Sequence, residues 1–152
     1  MVALATPFND GAVDWKAFGP MIERQIDGGS SALVPCGSTG EAATLDHTEH
    51  AEVVRFAVEQ ARGRVPVIAG TGSNSTKEAI NLTRAAKDAG ASGALMISPY
   101  YNRPNQEGLK RHYLAVADAV DLPIILYNIP IRTGRAMDPS TIAALAKHPN
   151  II

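Results

Sequence analysis

The sequence has one cysteine, no long apolar run and almost no net charge, and each of these absences excludes a class of protein. Cys36 has no second cysteine with which to form an intrachain disulfide. Every apolar segment is far shorter than the ~20 residues that a membrane-spanning helix requires. With 14 Lys plus Arg against 15 Asp plus Glu, the formal charge is −1, which does not favour binding to nucleic acid.

The N-terminal residues also lack the features of a secretory signal, namely a basic segment, an apolar run and a cleavage site. These properties predict a soluble, cytoplasmic protein that acts on small molecules, with no nucleic-acid or membrane partner. The 152 residues, of which 45% are hydrophobic, suffice for one domain or for part of a larger one.

Five apolar runs of strand length alternate with five amphipathic segments. The run Pro123–Tyr127 is apolar on successive residues, which is typical of a parallel strand covered on both faces. Strand starts recur about every 30 residues, as βαβ units with right-handed crossovers require. The predicted strands are Val2–Phe8, Ala32–Cys36, Pro66–Gly70, Gly93–Pro99 and Pro123–Ile129, and the predicted helices are Asp14–Asp27, Thr48–Arg62, Thr76–Ala89, Gln106–Val120 and Pro139–Lys147.

Such repeats fit either an open doubly wound sheet or a closed eight-stranded barrel. A dinucleotide-binding sheet requires a glycine fingerprint in its first strand-to-helix turn, and the segment Thr6–Gly11 has none. Polar and aromatic residues instead follow several different strands, which is typical of a barrel rim. We therefore predict an α/β fold, a parallel (β/α)8 TIM barrel. Residues 1–152 are expected to form the N-terminal portion of this single domain, with about five β/α units and the start of strand six at Asn150–Ile152.

Two glycine-rich segments follow predicted strands. Gly37-Ser-Thr-Gly-Glu41 places two hydroxyls between glycines, so backbone N–H groups could converge on a carboxylate or phosphate. A plain turn in which Ser or Thr caps the next helix explains the segment equally well. Gly70-Thr-Gly-Ser-Asn74 lacks the Gly-Lys-Ser/Thr ending of a phosphate loop, which argues against nucleotide binding there.

Aromatic and basic side chains mark the ends of the last two predicted strands. Tyr100 and Tyr101 are adjacent and point in different directions, so one can serve a site while the other packs or reaches a neighbouring subunit. Tyr127 lies in an aliphatic strand and could transfer protons if it faces the barrel axis. Arg132 is placed to bind a carboxylate through two hydrogen bonds, although exposed arginines commonly have no specific role.

The histidines do not predict a metal site. His47 and His50 are one helical turn apart, but neither His112 nor a nearby Cys or well-spaced carboxylate completes a set of ligands. A solvated or ligand-contacting helix face is the better interpretation of this pair.

Four segments, taken in order, resemble the dihydrodipicolinate synthase family over nearly the whole chain: Gly37–Glu41, Ala69–Asn74, Pro99–Pro104 and Tyr127–Gly134. The resemblance implies condensation of pyruvate with aspartate semialdehyde on the route to lysine, through a Schiff base on a lysine and without a metal or organic cofactor. Arg132, two residues after a proline, distinguishes the chain from the related N-acetylneuraminate lyases, which generally lack this arginine. A pyruvate aldolase of that lyase type and a non-catalytic carboxylate-binding protein are the alternatives.

The resemblance also implies a proton relay. Tyr127 would donate and accept protons near the imine, linked by hydrogen bonds through the Ser38 hydroxyl to Tyr101. Ser38 stands where many relatives have threonine and keeps the hydroxyl. Because Tyr101 of the family reaches into the site of a partner subunit, a homodimer or homotetramer is expected.

Further residues are implied to bind ligands. Thr39 and the backbone of Gly37 and Gly40 would hold the pyruvate carboxylate, and Arg132 would hold the second substrate. A regulatory site for inhibitory lysine is a weaker implication of the resemblance, and its residues would be His47, His50, Asn74, Glu78 and Tyr100.

The Schiff-base lysine of the family lies on the sixth strand, shortly after the Asn-Ile-Ile at positions 150–152. The lysines within residues 1–152 are all predicted on helices, where an amine stays protonated, whereas imine formation requires a desolvated lysine with a lowered pKa. We therefore predict that these residues alone have no synthase activity. The lysines are Lys16, Lys77, Lys87, Lys110 and Lys147.

Overall fold

The computed structural model describes residues 1–152 and contains five parallel strands that neighbour one another in chain order. Their bounds are β1 Val2–Ala3, β4 Leu33–Val34, β5 Ile68–Gly70, β6 Gly93–Ile97 and β7 Ile124–Tyr127, while β2 Phe8–Asn9 and β3 Ala12–Val13 form a separate hairpin. Single parallel bridges join Leu33 to Val67 and Ile124 to Ile151. Each of the five parallel strands therefore pairs with the next parallel strand along the chain, which is the order of a β/α barrel and not of a doubly wound sheet.

The five predicted helices are confirmed, with ends that differ by at most two residues. Their bounds are α1 Trp15–Asp27, α2 His47–Ala61, α3 Thr76–Asp88, α4 Gln106–Ala119 and α6 Pro139–Leu145. Helix α2 begins at a capping box in which Asp46 accepts from the Glu49 amide and the Glu49 side chain accepts from the Asp46 amide. None of the helices combines the length and the apolar character that a membrane span requires.

The first predicted strand is too long. Parallel pairing stops at Ala3, and the chain then forms the antiparallel hairpin of β2 and β3. Asp10 and Gly11 in its turn have φ angles of 49° and 82°. Two consecutive left-handed residues are what a two-residue type I′ turn requires, so this local turn overrides the continuous apolar pattern.

The other predicted strands are present but shorter, because prolines at their ends cannot donate to the neighbouring strand. Pro35 follows β4 and Pro99 lies beyond β6. At the C-terminal end, α6 stops at Leu145, so Lys147 lies in a turn and its predicted helical position is wrong. A four-residue helix, α5 Pro130–Thr133, was not predicted.

Alternating side chains of the sheet separate the core from the barrel axis. In β6, Ala94 and Met96 are fully buried against the helices, whereas Leu95 and Ile97 are half-buried on the other face. Ile97 lies opposite Tyr127 in the β6–β7 register, so this pairing places Tyr127 on the same face as Ile97. The face that leads to the barrel axis therefore carries the tyrosine.

Candidate functional site

A cavity of about 340 Å³ opens at the C-terminal ends of β4 to β7. This is the end at which barrel loops carry functional side chains. Its wall includes Gly37 and Ser38 after β4, Gly70 and Gly72 at the end of β5, Leu95, Ile97 and Tyr100 on or after β6, Tyr127 and Arg132 on or after β7, and His47, His50 and Glu78 on α2 and α3.

Glycines allow the strand ends to approach closely beside the cavity. A Cβ atom at Gly70 would overlap the carbonyl of Cys36, and one at Gly72 would lie 2.5 Å from the Ile97 nitrogen. Any larger residue would push these segments apart. These two glycines therefore shape the cavity wall.

Tyr127 and Arg132 both reach the cavity, from the strand and from the loop that follows it. The Tyr127 side chain is half-buried and makes no hydrogen bond within the chain. Arg132 is exposed on α5 and has no carboxylate partner in the chain. Both polar groups are therefore available to a ligand.

The loop that carries Arg132 is closed by a side chain at its own base. Asn128 Nδ2 donates to the Met137 carbonyl at 3.3 Å, and the Met137 amide donates back to Asn128 Oδ1 at 3.1 Å. The hydroxyl of the buried Thr133 lies 2.9 Å from the Arg135 carbonyl inside the loop. No role was predicted for Asn128; its only signal is an amide side chain directly after the strand β7.

The Gly37–Glu41 segment forms a turn that enters a short 3-10 helix, Ala42–Thr44. Gly37 and Ser38 lie on the cavity wall, whereas Thr39 is exposed and Gly40 is buried beside Thr6, whose hydroxyl donates to the Gly40 carbonyl at 2.7 Å. Neither Ser38 nor Thr39 caps a helix, because the side chain of Asp46 caps α2. The capping interpretation of this segment is therefore wrong.

The two adjacent tyrosines diverge. Tyr100 is half-buried on the cavity wall, while Tyr101 has a φ of 65° and a side chain that is 90% exposed. No hydrogen bond joins Tyr101 to Ser38 or Ser38 to Tyr127 within the chain. The relay thus remains a prediction, for which Tyr101 is free to contact another subunit.

A cluster of hydrogen-bonded side chains lies where α2 and α3 form the wall of the cavity. His47 Nε2 lies 2.6 Å from Glu78 Oε1, and the Ser73 hydroxyl donates to the other oxygen of Glu78. These hydrogen bonds, that of Ser73 first and that of His47 second, lower the pKa of Glu78. Asn74 is tied differently, because its carbonyl accepts from Asn102 Nδ2 at 3.0 Å. Ser73 was not predicted to contribute.

His50 lies beneath this cluster. Its Nε2 is 2.8 Å from the Gly70 carbonyl, which can only accept, so Nε2 carries the proton in the neutral ring. The other nitrogen, Nδ1, is buried without a partner. Burial is the main cause that lowers the pKa of His50, since the charged ring would lose its hydration.

A model of the dihydrodipicolinate synthetase family matches residues 1–152. The chain is 59% identical over 152 residues to the 4-hydroxy-tetrahydrodipicolinate synthase of Geobacter sulfurreducens and 58% identical to that of Pelobacter propionicus. It belongs to the dihydrodipicolinate synthetase family. All of this chain is covered in both comparisons, and it spans 52% of the length of each relative.

Structures of dihydrodipicolinate synthetase family members share the fold. The chloride-inhibited enzyme from Acinetobacter baumannii, complexed with pyruvate, has a TM-score of 0.97 and 52% identity, with 99% of this chain and 52% of that chain covered. The enzyme from Aquifex aeolicus has a TM-score of 0.94 and 52% identity, with 96% and 50% covered. These similarities confirm the predicted TIM-barrel fold, of which the chain forms a part.

In this member of the dihydrodipicolinate synthetase family, no strong nucleophile lies on the cavity wall. Cys36 lines it, but burial raises the pKa of the thiol to about 12, so the thiolate is not formed near neutral pH. None of the lysines reaches the wall. Four lie in helices, namely Lys16, Lys77, Lys87 and Lys110, and Lys147 lies in the turn after α6.

Proposed function

We propose that residues 1–152 form the N-terminal half of a 4-hydroxy-tetrahydrodipicolinate synthase, which condenses pyruvate with aspartate semialdehyde on the route to lysine. The observation that carries this proposal is the cavity that both Tyr127, at the end of β7, and Arg132, on α5, line. A proton-transferring phenol and a carboxylate-binding guanidinium are two of the groups that an aldol-type condensation of carboxylate substrates uses beside the amine that forms the imine. The relative from Acinetobacter baumannii is known with pyruvate bound.

In this proposal Tyr127 moves protons as the lysine amine adds to the keto carbon of pyruvate and water leaves. An isolated phenol has a pKa of ~10, so neighbours must help it to exchange protons near neutral pH. The Ser38 hydroxyl on the same wall is the proposed neighbour, and the exposed Tyr101 completes the relay from a partner subunit. A homodimer or homotetramer is therefore the proposed active form.

The two substrates are assigned to different loops. Thr39, with the backbone of Gly37 and Gly40, is proposed to bind the pyruvate carboxylate after β4. Arg132 is proposed to bind the carboxylate of aspartate semialdehyde after β7. The Arg132 guanidinium suits this role because no acidic residue of the chain neutralises it.

The Schiff-base amine is proposed to come from outside residues 1–152. The lysines of the chain lie on helices or in a turn, away from the cavity, where an ammonium group stays hydrated and protonated. A protein with only these residues would thus bring the cavity but not the nucleophile.

Borohydride trapping of pyruvate, read by intact mass, tests the proposal directly. The complete synthase should gain the mass of a reduced pyruvate adduct and should condense pyruvate with aspartate semialdehyde. Residues 1–152 alone should do neither, and an adduct on them would contradict the assigned source of the amine. Cleavage of N-acetylneuraminate by the complete protein, without condensation, would favour the lyase alternative, and pyruvate binding without an adduct would favour a non-catalytic carboxylate-binding protein.

We also propose that the cavity wall formed by α2 and α3, which carries His47, His50 and Glu78 and is called the bonded wall below, binds lysine as an inhibitor. His47, His50, Glu78 and Tyr100 line the same cavity, and the Glu78 carboxylate offers a negative charge to an amino group. Asn74 does not line the cavity. Its proposed contribution is to hold the neighbouring Ser73, which donates to Glu78, in place.

A further inference from the structure

Arg132 stands on a helix too short to fix its own position. Helix α5 has four residues, and isolated helical turns are unstable in water. Gly134 ends α5 with a φ of 69°, and its amide donates to the Pro130 carbonyl at 2.8 Å. The orientation of Arg132 must therefore depend on what holds the segment that follows Gly134.

Gln106, the first residue of α4, holds that segment with both ends of its side-chain amide. Its Nε2 donates to the Ala136 carbonyl at 2.9 Å, and its Oε1 accepts from the Asp138 amide at 3.1 Å and from the Thr141 hydroxyl at 2.8 Å. Exchanging the two ends of the amide would break the bonds to both backbone groups, so the network fixes the orientation of Gln106.

Arg103 grips the same segment closer to α5. Its Nε donates to the Gly134 carbonyl at 3.0 Å, and a Cβ atom at Gly134 would lie 3.0 Å from that nitrogen and 3.3 Å from Cδ. The arginine side chain thus packs directly on the backbone at the end of α5. Arg103 itself has a φ of 45°, a conformation that non-glycine residues rarely adopt.

We propose that Gln106 and Arg103 are positioning residues that orient Arg132 for the carboxylate of the second substrate. The inference rests on the proposed function. Arg103 lies in the loop after β6 and Gln106 begins the helix that follows this loop, whereas Arg132 and its segment follow β7, so residues after one strand set the substrate-binding geometry after the next. The proposed pyruvate site lies after β4, so pyruvate binding should not require the hydrogen bonds of Gln106 and Arg103.

The test measures steady-state kinetics of the complete synthase with Gln106→Leu, which removes all three hydrogen bonds. We expect the KM for aspartate semialdehyde to rise about tenfold while the KM for pyruvate stays within about twofold. Borohydride trapping of pyruvate should be unchanged. Gln106→Glu keeps the two accepting interactions but sets a carboxylate oxygen against the Ala136 carbonyl, so it should also raise the KM for aspartate semialdehyde. Glu107→Gln at the adjacent exposed position serves as the matched control.

A double-mutant cycle with Arg132→Ala separates positioning from general destabilisation. If Gln106 acts through Arg132, Gln106→Leu should add little to the KM for aspartate semialdehyde in the Arg132→Ala background. Arg103→Gln gives an independent cycle if Gln106→Leu does not fold. Equal increases in both KM values, no increase, or an undiminished effect in the Arg132→Ala background would overturn the inference. A parent protein that neither traps pyruvate nor condenses it would instead overturn the proposed function, and the inference with it.

Discussion

The two walls of the cavity differ in how far their polar side chains are satisfied within the chain. On the wall formed by α2 and α3, Glu78 accepts hydrogen bonds from both Ser73 and His47. On the wall formed by the loops after β4 and β7, the side chains of Ser38, Tyr127 and Arg132 have no hydrogen-bonding partner within the chain. One wall is preassembled and the other is open.

Under the proposed function, the two walls have different tasks. A bonded carboxylate keeps its charge and position without a ligand, which suits a site that must recognise one charged effector. Open hydroxyl and guanidinium groups suit a site in which bond-making partners change during a reaction, and in which another subunit supplies part of the relay. Substitutions on the two walls should therefore affect different measurements.

The largest expected effect comes from the open wall. Tyr127→Phe in the complete synthase should lower kcat by about 100-fold or more, since general acid–base groups contribute 10²–10⁴-fold. Steady-state kinetics at saturating pyruvate measures this loss. Tyr100→Phe removes the hydroxyl of the other tyrosine that lines the cavity, and as the matched control it should change kcat by less than about fivefold. Equal losses in the two variants would contradict the role proposed for the Tyr127 hydroxyl.

Two buried histidines, His112 beside α3 and His50 on the bonded wall, should make the free energy of unfolding depend on pH. His112 is buried, its Nδ1 lies 2.9 Å from the Thr76 hydroxyl, and desolvation lowers its pKa to about 4. In the unfolded state the ring has a pKa of ~6.5, so below that pH the unfolded state binds a proton that the folded state does not. The stability is therefore complete above pH ~6.5 and falls as the pH is lowered toward the pKa of the folded state. Lowering the pH to about 5 should remove roughly 2 kcal/mol of unfolding free energy.

Urea unfolding at about pH 7.5 and about pH 5 measures this loss for the parent and for His112→Gln. The variant should lose less stability on acidification than the parent. His50→Gln should change the slope in the same direction, because burial lowers the pKa of His50 as well. An unaltered slope in His112→Gln would show that protonation of this histidine is not linked to folding.

Much of the scaffold was predictable because its signals are local. The helix limits follow from apolar periodicity and from caps such as Asp46 and Ser75, each of which accepts from an amide three residues later. The same local chemistry explains the missed hairpin, since Asp10-Gly11 carries a turn signal that the apolar run Val2–Phe8 obscured.

The construction of the site was less predictable, because it depends on pairs far apart in sequence. Ser73 lies five positions before Glu78, but His47 reaches Glu78 across 31 positions, and Gln106 contacts Ala136 across 30. No spacing pattern encodes such contacts. Motifs identified Tyr127 and Arg132 as candidates. The side chains that hold the loop around them, such as Gln106, could be identified only from the folded structure.

The smallest expected effect concerns the bonded wall and lysine. We expect lysine to inhibit the complete synthase and Glu78→Gln to raise the half-inhibiting concentration about tenfold, because the neutral amide loses the charge that an ammonium group would meet. Titration of lysine at fixed substrate concentrations measures the shift. Glu49→Gln, at a half-buried position in the first turn of α2, changes the same charge outside the cavity and is the matched control. Unchanged activity at saturating lysine would mean that the bonded wall has a structural role only.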